Sequence, residues 1–212
     1  MEKNSEVDIL VKDNYFEDAD YMRELALSNS TYRVNNDLYG PQGGWKGKRT
    51  ISFRLENTVC SCCNQLIQYD SEINKFISKQ SKDILDLCDN HYRLSKKYPN
   101  QKFSITSYFH ITTEETKNSM HNFLQDKFHT DSRCFIAGVV YLTPDAPITA
   151  GTSILDASKN QFVNVENKYN RLVAYDSSII HGVSEVFGNS DDTGRLTFTF
   201  FIHDILDASY YD

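Results

Sequence analysis

The sequence lacks the features that mark several classes of protein. No run approaches the roughly 18 consecutive apolar residues of a membrane-spanning helix, so a membrane protein is not expected. Residues Met1–Asp8 are polar and charged, without the apolar core of a signal peptide, so we expect a cytoplasmic protein. Basic residues form only small groups, at Lys46–Arg49 and Lys96-Lys97, in a chain of net charge −7. A dedicated nucleic-acid binding surface is therefore not expected.

Cysteines are few and unevenly placed. Five is an odd number, which suits free thiols in a reducing compartment better than a disulfide framework. Cys60, Cys62 and Cys63 contain one Cys-x-x-Cys spacing, and Cys88 stands apart. A structural zinc site normally draws on a second pair or on histidines at short spacing, and neither is present. We expect free thiols there, with their role left open.

The length favours a single domain over residues 1–212, with a helical part up to about residue 100. A helix is predicted at about Tyr21–Ser30, with Asp18 or Asp20 as its N-cap. The glycine-containing loop Asn35–Lys48 holds the only tryptophan, Trp45. Two interpretations of this loop remain: an ordinary surface loop anchored by its tryptophan, or a lid that faces the substrate.

A longer helical segment is predicted at Asn64–Lys97. Its apolar residues recur at steps of three, four or seven, which gives an amphipathic stripe that suits a helix packed against a sheet. The polar run Ser78–Lys82 is expected to divide it into two helices. Pro99 follows its end.

After residue 102 the pattern changes to the period of two that is typical of β-strands. In segment 103–112 apolar residues alternate with Ser, Thr, Tyr and His, which predicts one apolar and one polar face. A polar insertion, Thr113–Asn122, follows. Cys134–Leu142 is apolar at nearly every position, as in a strand covered on both faces. Further strands are predicted at Gly151–Leu155, Arg171–Tyr175, Ile179–Val186 and Arg195–His203. Many short strands indicate a sandwich or barrel, so the fold class is α+β, mainly β.

One motif suggests a metal site. In a strand, residues two apart point to the same face, so His129 and Asp131 present an imidazole and a carboxylate side by side. A second imidazole is available at His181. Two histidines and one carboxylate, with the remaining positions open, form the facial triad that suits non-haem Fe(II). The sequence therefore predicts His129, Asp131 and His181 as metal ligands.

A second motif suggests a carboxylate site. Arg195 and Thr197 share one face of the last predicted strand. A guanidinium fork beside a hydroxyl is a good receptor for a planar carboxylate. Together with an open metal site, this pair suggests a chelating keto-acid cosubstrate.

These residues resemble a known family. His-x-Asp, a distal His and Arg-x-Thr, with the segments HTDSRCFIAGVVYLTPDAPITAGTSI and NKYNRLVAYDSSIIHGVSEVFGNSDDTGRLTFTFFIH, look like the 2-oxoglutarate/Fe(II)-dependent dioxygenases. The likeness is to a prolyl-hydroxylase-like branch often met in phage and marine bacterial sequences, and it covers roughly Phe103–Asp204. It implies a double-stranded β-helix, or cupin-like jelly roll, over about residues 101–205, preceded by buttressing helices.

The resemblance also implies cofactors and roles. Fe(II) would bind His129, Asp131 and His181, with 2-oxoglutarate and O₂ as cosubstrates, and Arg195 with Thr197 would hold the distal carboxylate of 2-oxoglutarate. Related halogenases replace the carboxylate that is present here as Asp131, so the resemblance implies hydroxylation or another oxidation rather than halogenation. A tyrosine often assists, and Tyr108 and Tyr141 are both candidates. A protein or peptide side chain is the favoured substrate, a small molecule remains an alternative, and the oligomeric state is open.

Two alternatives from other classes remain. The chain could be a non-catalytic jelly-roll binding protein or phage accessory protein. It could also be a cupin-type metal enzyme that does not use 2-oxoglutarate, although Arg195 and Thr197 disfavour that interpretation. The remaining histidines are expected to be structural or exposed, and they are His91, His110, His121 and His203.

Overall fold

A computed structural model describes residues 7–29, 31–34, 47–54, 71–118, 127–131 and 134–204. The predictions for Trp45, His121 and the cysteines at positions 60, 62 and 63 lie outside these residues. In the described part, no helix is long and apolar enough to span a membrane.

Helices lie mainly in the first half of the chain. They are α1 (Ala19–Leu27), α2 (Ser71–Tyr92), α3 (Leu94–Lys97) and α4 (Glu114–Asn118). Asp18 caps α1 by accepting a hydrogen bond from the backbone N–H of Tyr21, so the helix begins two residues earlier than predicted. Helix α4 lies inside the segment predicted as a polar insertion.

The strands form two antiparallel sheets. They are β1 (Ile9–Lys12), β2 (Arg33–Val34), β3 (Lys48–Arg49), β4 (Phe53–Arg54), β5 (Phe103–Thr112), β6 (Ile136–Tyr141), β7 (Thr152–Asp156), β8 (Gln161–Val165), β9 (Leu172–Asp176), β10 (His181–Val183) and β11 (Arg195–Asp204). The major sheet has the order β1-β9-β6-β11-β5-β3-β2, with β4 also paired to β5, and the minor sheet has the order β10-β7-β8. This arrangement agrees with the predicted mainly-β jelly roll.

The outer face of the major sheet packs against the helices. Its apolar side chains come from alternate positions of the central strands and meet α1 and α2 in one core. Fully buried members include Met22 from α1, Ile84 from α2 and Phe198 from β11. The predicted helical buttress is confirmed by this packing.

Helix α2 runs without interruption through the segment 78–82, so the predicted break there is wrong. Ser81, within that polar run, is buried, and its hydroxyl lies 3.2 Å from the hydroxyl of Ser107 in β5. A polar residue on the packed face of the helix is therefore satisfied by a partner far away in the chain. The serine joins the helix to the sheet instead of ending the helix.

The inner face of the major sheet is polar, yet it is buried. Residues 104–112 of β5 are all buried, as are residues 195–203 of β11. Every residue of β11 pairs with β5, so that Arg195, Thr197 and Thr199 lie opposite Thr112, His110 and Tyr108. The minor sheet covers this face, and Ile154 and Val165 contribute to a second core with Tyr141 and Tyr175. The hydroxyl-rich face of the strands thus lines the space between the sheets.

The pair Asn170-Arg171 is structural. Asn170 adopts a positive φ of 59°, and its side chain exchanges hydrogen bonds with the backbone of Phe16. Arg171 forms an ion pair with Asp13, with its Nε 2.6 Å from the carboxylate. The pair ties the start of β9 to the N-terminal segment.

Replacing Ile84 with alanine tests the packing of α2. We expect a loss of about 2–5 kcal/mol in the free energy of unfolding, because the buried side chain leaves a cavity. Lys82→Ala is the control on the same helix, since Lys82 makes only an exposed ion pair with Asp86 and should change stability by less than about 0.5 kcal/mol. Urea unfolding measures both, and equal effects would contradict the described packing.

Asp13 gives a pH-dependent prediction. Hydrogen bonds from Arg171 and then Lys168 lower the pKa of Asp13 from 3.8 to about 2. A lowered pKa stabilises the fold above the unfolded value, and this contribution is lost as the pH falls towards 2. Because 36% of the Asp13 side chain is exposed, Asp13→Asn should cost at most about 1 kcal/mol near neutral pH. In urea unfolding the difference from wild type should shrink below about pH 3.5.

Candidate metal centre and carboxylate site

The three predicted metal ligands meet at one point. His129, Asp131 and His181 each present a ligand atom, and these atoms lie within 4.8 Å of one another. The Nε2 atom of His181 is 3.1 Å from the Asp131 carboxylate, and that of His129 is 3.6 Å away. Among the described residues this is the only cluster of three such groups.

Backbone pairing brings the two histidines together. The N–H of His129 donates to the carbonyl of His181 and the N–H of His181 donates to the carbonyl of His129, both at 2.9 Å. The two residues form a bridge that extends the minor sheet beyond β10. The N–H of Asp131 donates to the carbonyl of Ser177, also at 2.9 Å. The chain around the His-x-Asp motif is thus fixed by its main chain.

Gly182 permits this approach. A Cβ atom at position 182 would lie 2.1 Å from the carbonyl oxygen of Lys127, which is far inside van der Waals contact. A side chain there would push the segment carrying His129 away from β10. The glycine that directly follows His181 therefore sets the spacing of the two imidazoles.

Carbonyl groups orient both imidazoles. Nδ1 of His181 lies 2.8 Å from the carbonyl of Ile179, and Nδ1 of His129 lies 3.3 Å from that of Lys127. A neutral imidazole that donates from Nδ1 keeps the lone pair of Nε2 for a metal. Burial, followed by the neighbouring His181, lowers the pKa of His129, which favours the neutral form that a metal requires.

The cluster is unevenly exposed. The side chain of His181 is 5% exposed and that of Asp131 is 18% exposed, whereas that of His129 is 49% exposed. Within the described part of the chain, the centre therefore opens on the His129 side. The ring of Tyr175 covers the other side, with its centroid 4.5 Å from that of His181.

Arg195 is buried on the inner face of the same sandwich. It is 3% exposed. Its Nε donates to the carbonyl of Ala150 at 3.2 Å, and its Nη2 lies 3.4 Å from the carbonyl of Gly151 and from the hydroxyl of Thr152. No carboxylate among the described residues pairs with it. A buried cation that has only neutral acceptors retains an uncompensated charge, and burial lowers its pKa.

The tyrosine candidates occupy different places on this face. The guanidinium of Arg195 lies over the ring of Tyr141 at 5.3 Å, and the Tyr141 hydroxyl is 2.7 Å from that of Thr152. Tyr108 instead contacts the guanidinium of Arg49, at 5.2 Å. Thr197 is fully buried, opposite Tyr141 across the β6–β11 pair. The structure therefore brings Tyr141 and Thr197 to Arg195, while Tyr108 lies with Arg49.

The sequence interpretation missed two residues that face the same space. Arg49 was noted only as part of a small basic group, but it pairs with His110 and shares its inner face. Tyr175 was counted as part of an apolar strand, yet its ring contacts His181. The sequence pattern around Arg49 and Tyr175 does not show which side chains point to the inner face. The pairing of their strands in the sheet is needed to identify both residues.

Of the remaining histidines, three lie in the described residues: two make structural contacts and one lies on the inner face. His91 is hydrogen-bonded to Asp8 at 2.9 Å, and His203 is fully buried with its Nε2 2.8 Å from the Thr106 hydroxyl. His110 is buried on the inner face beside Thr197. Cys88, in the helix core, and Cys134 are free thiols.

The residues fit the groups that the motifs suggest. Two imidazole nitrogens and one carboxylate within a few ångströms form a donor set suited to Fe(II) and other divalent transition metals. The uncompensated guanidinium of Arg195 suits an anion. Both features line the interior between the sheets.

Known structures share this fold, although no family model matches the chain and no curated protein matches it. The dioxygenase for auxin oxidation 1 of Arabidopsis thaliana, solved with 2-oxoglutarate, gives a TM-score of 0.56 at 15% identity, over 94% of this chain and 84% of that one. A Pseudomonas putida prolyl-4-hydroxylase gives 0.50 at 15% identity, over 93% of each chain. A Trichoplax adhaerens prolyl hydroxylase, in complex with a hypoxia inducible factor peptide, gives 0.51 at 13% identity, over 96% and 87%.

These likenesses establish the fold. The chain has the double-stranded β-helix found in prolyl hydroxylases and other 2-oxoglutarate/Fe(II) oxygenases, as the sequence motifs predicted. The branch suggested by the resemblance to phage and marine bacterial sequences stays a prediction.

Gly182→Ala tests how the centre is assembled. The added methyl group should displace the segment carrying His129 and weaken Fe(II) binding by about 10- to 100-fold, the usual effect of disturbing the support of a metal ligand. Ile180→Ala, on the other side of His181 with 40% of the side chain exposed, is the control and should bind Fe(II) as wild type does. Anaerobic calorimetry measures both affinities. Unchanged binding in Gly182→Ala would contradict the described spacing.

Proposed function

We propose that this protein is a non-haem Fe(II)- and 2-oxoglutarate-dependent dioxygenase that acts as a hydroxylase. One observation carries the proposal: a cluster of two histidines and one aspartate shares the interior of the sandwich with a buried arginine that has no carboxylate partner in the described residues. The cluster suits the metal and the arginine suits a carboxylate of the cosubstrate. The cluster alone or the buried arginine alone could have a structural role. Binding of a 2-oxo dicarboxylate to Fe(II) uses both, the metal for the 2-oxo acid end and the arginine for the distal carboxylate.

Fe(II) would be held by the Nε2 atoms of His129 and His181 and by the carboxylate of Asp131. With 2-oxoglutarate and O₂, bound Fe(II) supplies oxidative decarboxylation coupled to insertion of oxygen into a C–H bond. The carbonyl groups of Lys127 and Ile179 would accept hydrogen bonds from Nδ1 of the two imidazoles, which orients both rings and leaves Nε2 of each for the metal. Because the carboxylate ligand is present as Asp131, hydroxylation is favoured over halogenation.

Arg195 would bind the distal carboxylate of 2-oxoglutarate. Its guanidinium is held in place by the carbonyls of Ala150 and Gly151, so little side-chain freedom is lost on binding. Tyr141 and Thr197 lie on the same side and can donate hydroxyl hydrogen bonds to the same carboxylate. Tyr141 is therefore assigned this role in preference to Tyr108. Burial strengthens these contacts by excluding water.

The substrate is proposed to be a protein or peptide side chain. The Trichoplax adhaerens enzyme of the same fold has a peptide bound, and the half-exposed His129 marks the side of the centre that is open among the described residues. The Arabidopsis thaliana enzyme, which is described as acting in auxin oxidation, shows that the fold also serves small molecules. Fold similarity alone does not choose between these substrate classes.

The first test is an anaerobic titration of the apoprotein with Fe(II) and 2-oxoglutarate, followed by the visible charge-transfer band of the chelate. Wild type should develop the band, and His129→Ala should not. Arg195→Gln should develop it only at 2-oxoglutarate concentrations at least about 30-fold higher, because one partner of a buried charge pair is worth 2 kcal/mol or more.

Arg171→Gln is the matched control for the arginine. Arg171 forms an ion pair with Asp13 and does not contribute to the carboxylate site, so its band should resemble that of wild type. If wild type binds Fe(II) but shows no band with 2-oxoglutarate, the proposed cosubstrate is wrong. A cupin-type metal enzyme would then explain the site, and a protein that binds no metal would indicate a binding role.

A further inference from the structure

Tyr175 lies on the inner face of the major sheet, against one of the proposed metal ligands. It belongs to β9, where it pairs with Ala137 of β6 and Ile9 of β1. The ring centroid is 4.5 Å from that of His181, which places it directly against a proposed metal ligand.

The hydroxyl of Tyr175 has no hydrogen-bond partner among the described residues, although the residue is only 4% exposed. The hydroxyls of Tyr141 and Tyr92 lie 2.7 Å from the Thr152 hydroxyl and from the Ala174 carbonyl, whereas the buried hydroxyls of Tyr15 and Tyr32 also have no partner in the described part of the chain. A donor that no protein group engages is available to an oxygen atom of a ligand.

The surroundings of the phenol indicate what that ligand is. Burial raises the pKa of Tyr175, and the charges of Asp131 and Arg195 both act on it, so the phenol stays protonated near the two charged parts of the proposed site. The proposed dicarboxylic 2-oxo acid would extend from the metal cluster to Arg195. Carboxylate and keto oxygens only accept hydrogen bonds, and a protonated phenol can donate one.

We propose that the Tyr175 hydroxyl donates a hydrogen bond to 2-oxoglutarate and is thus a third anchor of the cosubstrate, in addition to the metal and Arg195. This inference rests on the proposed function. Tyr175 is not part of the His-x-Asp, distal His and Arg-x-Thr motif, and an apolar residue would satisfy the pattern of its strand. The proposed role depends on its hydroxyl. Phenylalanine would fill the same space against His181 without the donor.

Tyr175→Phe, compared with Tyr92→Phe, provides the test. Tyr92 reaches the same strand from the opposite side, where its hydroxyl donates to Ala174 at 2.7 Å. Both variants remove one buried hydroxyl and keep the ring. Fe(II) affinity, 2-oxoglutarate affinity of the Fe(II)-loaded protein from the charge-transfer band, and melting temperature without ligands are measured for each under anaerobic conditions.

Tyr175→Phe should weaken 2-oxoglutarate binding by about three- to tenfold, the worth of one hydrogen bond, with Fe(II) affinity and the ligand-free melting temperature maintained. Tyr92→Phe should lower the melting temperature, because it loses a bond already made, and should leave 2-oxoglutarate affinity unchanged. This opposite pattern separates cosubstrate binding from a structural role.

Two results would overturn the inference. If wild type shows the band and Tyr175→Phe binds 2-oxoglutarate equally well, the hydroxyl is not an anchor, while the proposed function stands. If wild type itself shows no band, both the proposed function and this inference fail. A parallel fall in Fe(II) affinity and melting temperature in Tyr175→Phe would mean a packing role for the phenol and would also overturn it.

Discussion

The proposed centre depends on one pair of reciprocal backbone hydrogen bonds, between His129 and His181. These bonds join segments that are far apart in the chain and place their imidazoles side by side. Because the two segments meet through their main chains, they need a residue without a side chain at position 182. Gly182 is not itself one of the proposed metal ligands. Asp131 is placed by the same segment, through its backbone bond to Ser177. The ligand geometry is thus a property of strand pairing more than of the side chains.

The two faces of the major sheet differ in polarity, and both contribute to this centre. The outer face is apolar and is stabilised by burial against the helices. The inner face carries hydroxyls, imidazoles and guanidinium groups that are also buried, at a cost in desolvation. Most of that cost is offset by hydrogen bonds such as the one between Thr106 and His203. Two groups on this face, the Arg195 guanidinium without a carboxylate partner among the described residues and the Tyr175 hydroxyl, are the ones to which we assign ligand contacts.

Much of this arrangement was predictable from period-two patterns. Spacing alone placed His129 and Asp131 on one face, and the alternation in β11 separated Arg195 and Thr197 from the apolar side. The choice between Tyr108 and Tyr141 was not predictable, since it depends on which strand lies beside Arg195 in the sheet. The same limit applies to Tyr175, whose strand is apolar on both faces. The continuous helix α2 was missed because the partner of Ser81 is 26 residues away.

The pairing of β11 has a consequence for the motions of the site. Arg195 lies on a central strand bonded along its length to β5 and flanked by β6, whereas in the described residues His129 is joined to β10 by an isolated bridge. Local opening is governed by how many such bonds must break together. Amide hydrogens around His129 will therefore exchange with solvent faster than those of β11. Within the described residues, the strand that carries Arg195 is therefore held by more backbone bonds than the segment that carries His129.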